Sequence, residues 1–402
     1  MITVTKKPPV ISLCDNVMLF EFTTDLEAGT DGVFLLIQPW YYDPHGPIGE
    51  EILYPAVPGA ADTDLSEYLR RDMFAIKQFA WPEQGNIPWN AHSGLIKKYK
   101  IQVQECWFDE SGDPVILTTI PIANHFVVRG KIPKWKWAAF YAQYNSFYHW
   151  ITTASPFLTL APKTQRVKVD QVQKLYLPIV WDPSSGDTLK IKVDIIFTDG
   201  TDDTFTTTQQ TGNLDLLRNA IIEFGVSYSL LNLSSWANTN HPGKTIYSYA
   251  VTAMSGSTVR SETRTYIVDR DQVIGQRQFL FSNSVGGYDS LLATGRNELT
   301  SNYTYDTVRQ QSPGIQALAE KKQLNVDELN IHACRTGYFN AEMAEYIAEF
   351  FLSEERYEIS GSTLIPIVLE NSKVLRKRDS ENEFYAEFDY QHALNQKVEV
   401  GS

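Results

Sequence analysis

One segment, residues 279–294 with the sequence FLFSNSVGGYDSLLAT, restricts the possible folds of this chain more than any other. An aromatic-rich strand breaks there at the pair Gly286-Gly287 and resumes as an apolar run. Because glycine adopts positive φ and allows backbones to approach closely, the pattern predicts a bent strand at a contact between subunits. The residues predicted to form this assembly contact are Phe279, Phe281, Gly286, Gly287, Tyr288 and Asp289.

The composition favours a mainly β fold divided into several domains. A chain of 402 residues exceeds one ordinary core, and about two to four domains are expected. Aromatic residues make up 12% of the chain, a share that suits sheets, because flat rings cover pleated surfaces well. We therefore expect β-sandwich domains of the immunoglobulin-like or fibronectin-like kind, joined to a C-terminal α+β assembly module.

The charge of the chain argues against a nucleic-acid-binding function. The net charge is −13, whereas phosphate binding requires a local excess of Lys and Arg. The basic run at residues 373–378 lies beside an acidic stretch and is interpreted as a solvated hairpin face. No apolar run approaches the ~18 residues of a membrane span, and the N-terminus lacks the apolar core of a secretory signal. Synthesis in the cytoplasm and no membrane span are therefore expected.

Residues 1–133 are predicted to form an N-terminal β-sandwich. Apolar and polar residues alternate along several short runs that are separated by Gly- or Pro-containing turns. The predicted strands are residues 11–22, 33–42 and 98–108, with one or two more strands within 115–128. A short helical turn is predicted at residues 64–70, where Asp62 or Thr63 would cap it.

Residues 134–165 form an aromatic-rich connector. From residue 137 to residue 150 the rings recur at spacings that fit one face of a helix. One hypothesis is an aromatic platform that stacks on sugars, because exposed rings bind them well. Its candidate residues are Trp135, Trp137, Tyr141 and Trp150. The alternative, which we favour, is a connector wedged between domains or subunits.

Residues 166–270 are predicted to form a second, immunoglobulin-like β-sandwich. Its predicted strands are residues 173–181, 189–197, 244–254 and 259–268, with a hairpin turn at Asp199-Gly200. Between them, Asn213 is predicted to cap a helix at residues 214–224 that ends at Gly225.

Residues 271–402 combine helix and strand signals. Asn340 is predicted to cap a helix over residues 341–352, with Met343, Ile347, Phe350 and Phe351 on its apolar face. Strands are predicted at residues 357–359, 364–369 and 383–390. A helix followed by a meander indicates an α+β module that docks by its apolar face.

Three segments of this last third resemble virion proteins of tailed phages and prophages of Bacteroidetes. They are FLFSNSVGGYDSLLATG, then TGYFNAEMAEYIAEFFLSEERYEI, then LIPIVLENSKVLRKRDSENEFYAEFDYQ. In that family a strand with a Gly-Gly break precedes a short helix, a Pro-Val strand and an acidic, aromatic strand. The resemblance covers about residues 267–395, and the two upstream sandwiches lie outside it. It implies a tail, tail-tip or baseplate component that works by self-assembly, and it supplies no catalytic residues.

The sequence offers little support for catalysis or for metal binding. The three cysteines, Cys14, Cys106 and Cys334, are interpreted as buried thiols, and the seven histidines lack zinc-ligand spacing. Asp199, Asp202 and Asp203 crowd a Gly turn that could hold calcium, but an ordinary hairpin tip is favoured. Paired carboxylates are frequent by chance in an acidic chain and give weak support to a glycan-degrading enzyme. No catalytic residue, metal or cofactor is predicted.

The predicted function is therefore structural. We expect a homo-oligomer that contacts other virion proteins and is located in the virion after synthesis in the host bacterial cytoplasm. The alternative is a carbohydrate-binding protein or adhesin that uses the aromatic platform to contact host surface glycans.

Overall fold

The computed structural model describes residues 2–25, 33–42, 45–55, 60–70, 89–92, 95–144, 155–179, 189–210, 220–309, 321–361, 363–374 and 384–393. Within these residues the chain forms 25 β-strands and four α-helices, so the fold is mainly β, as the composition predicted. The chain divides into two compact units. Unit 1 comprises Met1–Asp269 and Asn283–Asp289, and unit 2 comprises Arg270–Ser282 and Ser290–Ser402.

The first part of unit 1 contains two sheets and a short helix. Its elements are β1 (Ile2–Lys6), β2 (Ile11–Leu13), β3 (Leu19–Thr24), β4 (Val33–Tyr42), β5 (His45–Pro47), β6 (Glu51–Leu53), β7 (Ala60–Asp64), α1 (Ser66–Arg70), β9 (Ile96–Phe108) and β10 (Pro114–Val128). The three-stranded sheet has the order β1-β3-β7, and the six-stranded sheet has the order β2-β10-β9-β4-β5, with β6 pairing β4. β8 (Trp89–His92) belongs to a later sheet.

A shared apolar core lies between these two sheets. Alternate residues of β3, β4 and β9 point inward, and Phe20, Ile37 and Tyr99 are fully buried in one cluster. The arrangement is consistent with a β-sandwich.

Two local predictions for this part of the chain were wrong. Residues 11–22 are two strands separated by a turn, and Asp64 caps α1 by accepting from the Ser66 amide at 3.0 Å, in place of Asp62 or Thr63.

The second part of unit 1 contains two more sheets. Its elements are α2 (Trp137–Tyr144), β11 (Thr164–Lys168), β12 (Lys174–Ile179), β13 (Leu189–Phe197), β14 (Asp202–Gln210), β15 (Ala220–Gly225), α3 (Leu233–Asn240), β16 (Ile246–Ser255), β17 (Thr258–Val259) and β18 (Arg264–Asp269). One sheet has the order β11-β18-β16-β13-β14, with β17 pairing β16, and the other has the order β12-β15-β8. Their inner faces share a second core that includes Val193, Phe224 and Tyr249.

The helix predicted at residues 214–224 is wrong where the structure describes it. Residues 220–225 form β15, the central strand of its sheet, and all six residues are buried. When an apolar run is buried on both faces, its hydrophobic pattern does not show whether the run is a helix or a strand. Here the strands on each side supply its backbone hydrogen bonds, so it is a strand. Residues 211–219 lie outside the described part of the chain.

Unit 2 contains a seven-stranded sheet and one helix. Its elements are β19 (Arg277–Ser282), β20 (Tyr288–Ala293), β21 (Asn297–Arg309), β22 (Lys321–Arg335), α4 (Ala341–Leu352), β23 (Arg356–Ser360), β24 (Thr363–Val374) and β25 (Ala386–His392). The order is β20-β19-β23-β24-β25-β22-β21. The Asn340 side chain caps α4 as predicted, accepting from the Met343 amide at 3.1 Å. Ile347 and Phe350 are buried as predicted, whereas Met343 and Phe351 are half-buried.

This sheet is strongly curled. Phe279 on β19 and Tyr390 on β25 have ring centroids 5.3 Å apart, although β23 and β24 lie between them in the strand order. A flat sheet would separate the two strands by about 14 Å. The curled sheet therefore closes over its own aromatic core, and Phe350 of α4 contacts Phe279 and Phe388 at 5.5 and 5.1 Å. Among the described helices, none is long and apolar enough to cross a membrane.

Candidate functional site

The predicted assembly signature is a tight loop, Asn283–Asp289, within unit 1. One side chain organises it. The Asn283 carbonyl oxygen accepts from the Val285 and Gly287 amides at 3.1 and 2.9 Å, and its amide nitrogen donates to the Leu158 carbonyl and to Asp289, each at 2.8 Å. Every hydrogen-bonding atom of this buried amide group is therefore used inside the chain.

The two glycines of the loop are required by space and by backbone conformation. Gly286 has φ of 95°, and a Cβ there would lie 2.5 Å from the Arg129 carbonyl oxygen. A Cβ on Gly287 would lie 2.2 Å from the Leu158 carbonyl oxygen. Both distances are far below van der Waals contact, so no other residue fits without movement of the backbone.

The rest of the predicted assembly contact is also buried. Asp289 accepts from the Thr159 hydroxyl at 2.6 Å, and the Tyr288 hydroxyl accepts from Arg129 at 3.3 Å. All six predicted contact residues, Phe279, Phe281, Gly286, Gly287, Tyr288 and Asp289, are buried among residues of this same chain. The structure gives them an intramolecular packing role, and their contact with another subunit stays a prediction.

The aromatic connector presents one exposed ring in its described part. Trp135 is 75% exposed, next to Lys136, whose ammonium group lies 4.9 Å from the ring centroid. Trp137 begins α2, is half-buried and donates its indole N–H to the Ile132 carbonyl at 3.1 Å. The Tyr141 side chain and Trp150 lie outside the described residues. A glycan platform therefore has one exposed described ring, Trp135.

The Asp-rich turn has carboxylates that are already bonded. Asp199 accepts from the amide and hydroxyl of Thr201, and these bonds, together with Lys244, lower its pKa to about 2. Asp203 pairs with His241 at 2.7 Å. No group of metal-ligating side chains occurs among the described residues, and the three cysteines are buried and free, as predicted.

Strands β21 and β22 form a long hairpin that the sequence pattern did not predict. We call β21 and β22 beyond the sheet, residues 299–309 and 321–331, the hairpin arm. The two strands have 13 and 15 residues and pair with one another along their lengths. β22 also pairs with β25, but through four residue pairs at its end, from His332 to Arg335. The arm is therefore a two-stranded ribbon of about 35 Å.

Apolar side chains are exposed on both faces of the hairpin arm. One face carries Leu299, Tyr303 and Tyr305, which are 58%, 52% and 49% exposed. The opposite face carries Val308 and Leu329, each 43% exposed. Within the described residues, no third strand pairs with either edge of the arm. The arm, with its two partly apolar faces and with edges that pair no third strand in the described residues, is therefore the candidate functional site.

A buried polar cluster lies where the arm joins the sheet. Glu358 on β23 bonds Arg277 on β19, the Tyr390 hydroxyl at 3.0 Å and His392 at 2.8 Å. Burial would raise the pKa of this carboxyl, but the bonds from His392 and Arg277 outweigh it and lower the pKa. His332 on β22 stacks on Tyr390, with ring centroids 4.9 Å apart. The cluster connects four strands of the curled sheet.

Comparison with known proteins adds no family. No protein-family model matches the sequence. No curated protein matches it either. The structure of a marsupial T cell receptor aligns with 83% of this chain and 95% of its own length, at 8% identity and a TM-score of 0.19. A TM-score this low carries no argument about fold or function.

Proposed function

We propose that this chain is a structural component of a phage tail or tail-like particle, in the tail, tail-tip or baseplate. It acts by self-assembly and by contacts with other virion proteins, and it is located in the virion after synthesis in the bacterial host. The proposal assigns the chain no catalysis. In this proposal unit 1 supplies immunoglobulin-like or fibronectin-like sandwiches and unit 2 is an α+β assembly module. The observation that carries the proposal is the hairpin arm.

The arm is a two-stranded ribbon, and its side chains at residues 302–308, 328 and 329 are exposed, so burial against other elements adds little to its stability. An isolated two-stranded ribbon is marginal in water, and independent stability usually needs a third strand or a packed face. Leu299 and Tyr303 leave about half of their surfaces in water, so burial on a neighbour would recover hydrophobic free energy. The sequence resemblance to virion proteins spans about residues 267–395, and the segments that carry it lie on both sides of the arm in the sequence. These features support a segment that completes its packing in an assembly.

A second copy of the chain is a suitable neighbour for the arm. β21 and β22 are antiparallel, so the two edges of the arm run in opposite directions. When two copies lie side by side in the same orientation, β21 of one copy pairs antiparallel with β22 of the next. This contact is heterologous, and it generates a ring when the rotation closes or a polymer when it does not.

Multi-angle light scattering over a range of concentrations, with negative-stain imaging, tests the proposal. We expect a ring or a concentration-dependent polymer for the wild-type chain. The double variant Tyr303→Lys/Tyr305→Lys should be monomeric, because charges replace the exposed rings of the arm. A matched control is Ile116→Lys/Leu117→Lys on β10, whose side chains are 54% and 51% exposed.

The control should assemble as the wild type does. A wild-type chain that stays monomeric at high concentration would contradict self-assembly, as would an arm variant that assembles normally. In the monomeric case, glycan-array binding by the wild type and by Trp135→Ala becomes the next measurement.

A further inference from the structure

The hairpin arm is attached to the curled sheet through a short junction. β22 pairs with β25 from His332 to Arg335, opposite Tyr390 to Glu387. At the neck of the arm, the Arg335 carbonyl accepts from the Gly295 amide at 2.9 Å, and the Arg335 amide donates to the Arg296 carbonyl at 3.1 Å. The Thr336 amide extends the junction by donating to the Ala386 carbonyl at 2.9 Å. These few pairs form a small cooperative unit, so a change of one buried side chain can alter its opening equilibrium.

His332 is the buried side chain at the start of this junction. Its residue surface is 7% exposed, and its Nδ1 atom has no hydrogen-bond partner among the described residues. The ring stacks on Tyr390 and lies 5.0 Å, between centroids, from the ring of His392. A neutral imidazole is suited to this stacked, buried position, whereas a charged one without a hydrogen-bonded partner is not.

Among the described residues, the charged groups around His332 offer it no counter-ion that is not already bonded. Arg277 of β19 and His392 of β25 face it from two strands, and the carboxylate that faces it, Glu358 of β23, is already bonded by both of them and by Tyr390. Tyr390 and Cys334, which also lie in the cluster, stay neutral: burial raises the pKa of Tyr390 strongly and that of Cys334 to about 12. A proton on His332 therefore adds a positive charge beside Arg277.

We propose that His332 makes the attachment of the arm sensitive to acid: protonation of its buried imidazole opens the pairing of β22 with β25 and frees the arm from the sheet. Burial and Arg277 lower the pKa of His332 below its usual value. An opened junction takes up the proton at the ordinary value of 6.5. The closed state therefore loses stability as the pH falls below about 6.5, until the pH reaches the lowered pKa of the closed state. The inference concerns this attachment and does not depend on assembly.

Hydrogen exchange of the full-length, dilute chain at pH 7.0 and 5.5 tests the switch. After correction for intrinsic exchange rates, peptides that contain residues 329–336 and 386–392 should lose protection at the lower pH. The loss should reach about tenfold per pH unit below 6.5, the limit for one proton taken up by the open state. Peptides from α4 should keep their protection, because the switch opens the junction and not the whole of unit 2.

Two variants isolate His332. His332→Phe keeps the stacking on Tyr390 and removes the titration, so its junction should have the same protection at both pH values. His332→Gln removes the titration without an aromatic ring and provides a second test where the first variant folds poorly. The matched control is His125→Phe in unit 1. His125 is also buried, its Nδ1 atom also has no partner among the described residues, and its pKa is also lowered by burial.

His125→Phe should lose protection at the junction between pH 7.0 and 5.5, as the wild type does. Three results would overturn the inference: no loss of protection in the wild type at pH 5.5, the same loss in both His332 variants, or an equal loss in α4 peptides. Each result is obtained with the monomeric chain, so none depends on whether the protein assembles.

Discussion

Two hairpins of this chain have strands of the same lengths but opposite surroundings. β9 and β10 have 13 and 15 residues, as do β21 and β22. β4 pairs with β9 along nine residues, and the inward-facing Tyr99, Ile101 and Val103 are fully buried. No third strand lines the hairpin arm in the described residues, and it is exposed on both faces. Strand length therefore does not determine whether a hairpin is part of a hydrophobic core. A continuous apolar face does.

The outer edges of the two hairpins differ as well. β10 carries Pro121 within the strand and has irregular register near residues 117 and 123–124. Proline and bulges discourage pairing with another chain, and they are a usual protection of edge strands. β21 lacks proline and has one irregularity, between Asp306 and Thr307. The edge of the arm is therefore the less protected of the two.

The largest expected effect comes from a comparison of a buried tyrosine in one hairpin with an exposed tyrosine in the other. Tyr99→Ala on β9 should lower the free energy of unfolding by about 3–5 kcal/mol, because it removes a buried ring from the core. Tyr303→Ala on β21 should lower it by less than about 0.5 kcal/mol, because the side chain is exposed. Urea denaturation of both variants measures the two changes. Similar losses would show that the arm is packed within the monomer.

The second prediction concerns the loop that packs against the end of β10. Gly286→Ala should destabilise the chain by about 3 kcal/mol, from positive φ and from overlap with Val128 and the Arg129 carbonyl. Gly200→Ala is the matched control, since Gly200 has φ of 83° and open space around its Cα. It should cost about 1–2 kcal/mol. If thermal unfolding shows equal losses of stability in the two variants, overlap with Val128 and Arg129 does not contribute to the effect of Gly286→Ala.

The smallest expected effect is a pH dependence in the embedded hairpin. His125 on β10 contacts Phe20 and Tyr99, and burial lowers its pKa, with a smaller contribution from Lys7. The unfolded chain binds the proton more readily, so this residue reduces stability as the pH falls below 6.5. His125→Phe should therefore lose less stability than the wild type between pH 7 and pH 5. Parallel stability curves would contradict the assignment.

Elements with a clear period could be predicted from the sequence. The bounds of β4, β13 and α4 agree with the predicted segments, because alternation or a capped apolar stripe defines each of them. β15 was mistaken for part of a helix because its run is buried on both faces and has no visible period. Periodicity is informative where one face of an element is apolar and the other is polar.

Two features of the candidate site were harder to predict. The Gly286-Gly287 break was recognised, but sequence alone did not show that Asn283 and Leu158 would enclose it within the chain. The hairpin arm was missed because residues 297–309, NELTSNYTYDTVR, are mostly polar, and Leu299, Tyr303 and Tyr305 do not form a continuous apolar face. Their Thr, Tyr and Val content is a usable signal, since these residues favour strands even where none is buried.

Hydrogen exchange of the arm, compared between the assembled and monomeric states, shows whether the arm forms the contact between copies. Backbone amides of residues 299–309 and 321–331 should gain protection on assembly, because a neighbouring strand pairs with an open edge. The outer edge of β10, residues 114–122, should remain unchanged. If the arm exchanges as fast in the assembled particle as in the monomer, it is not the contact between copies.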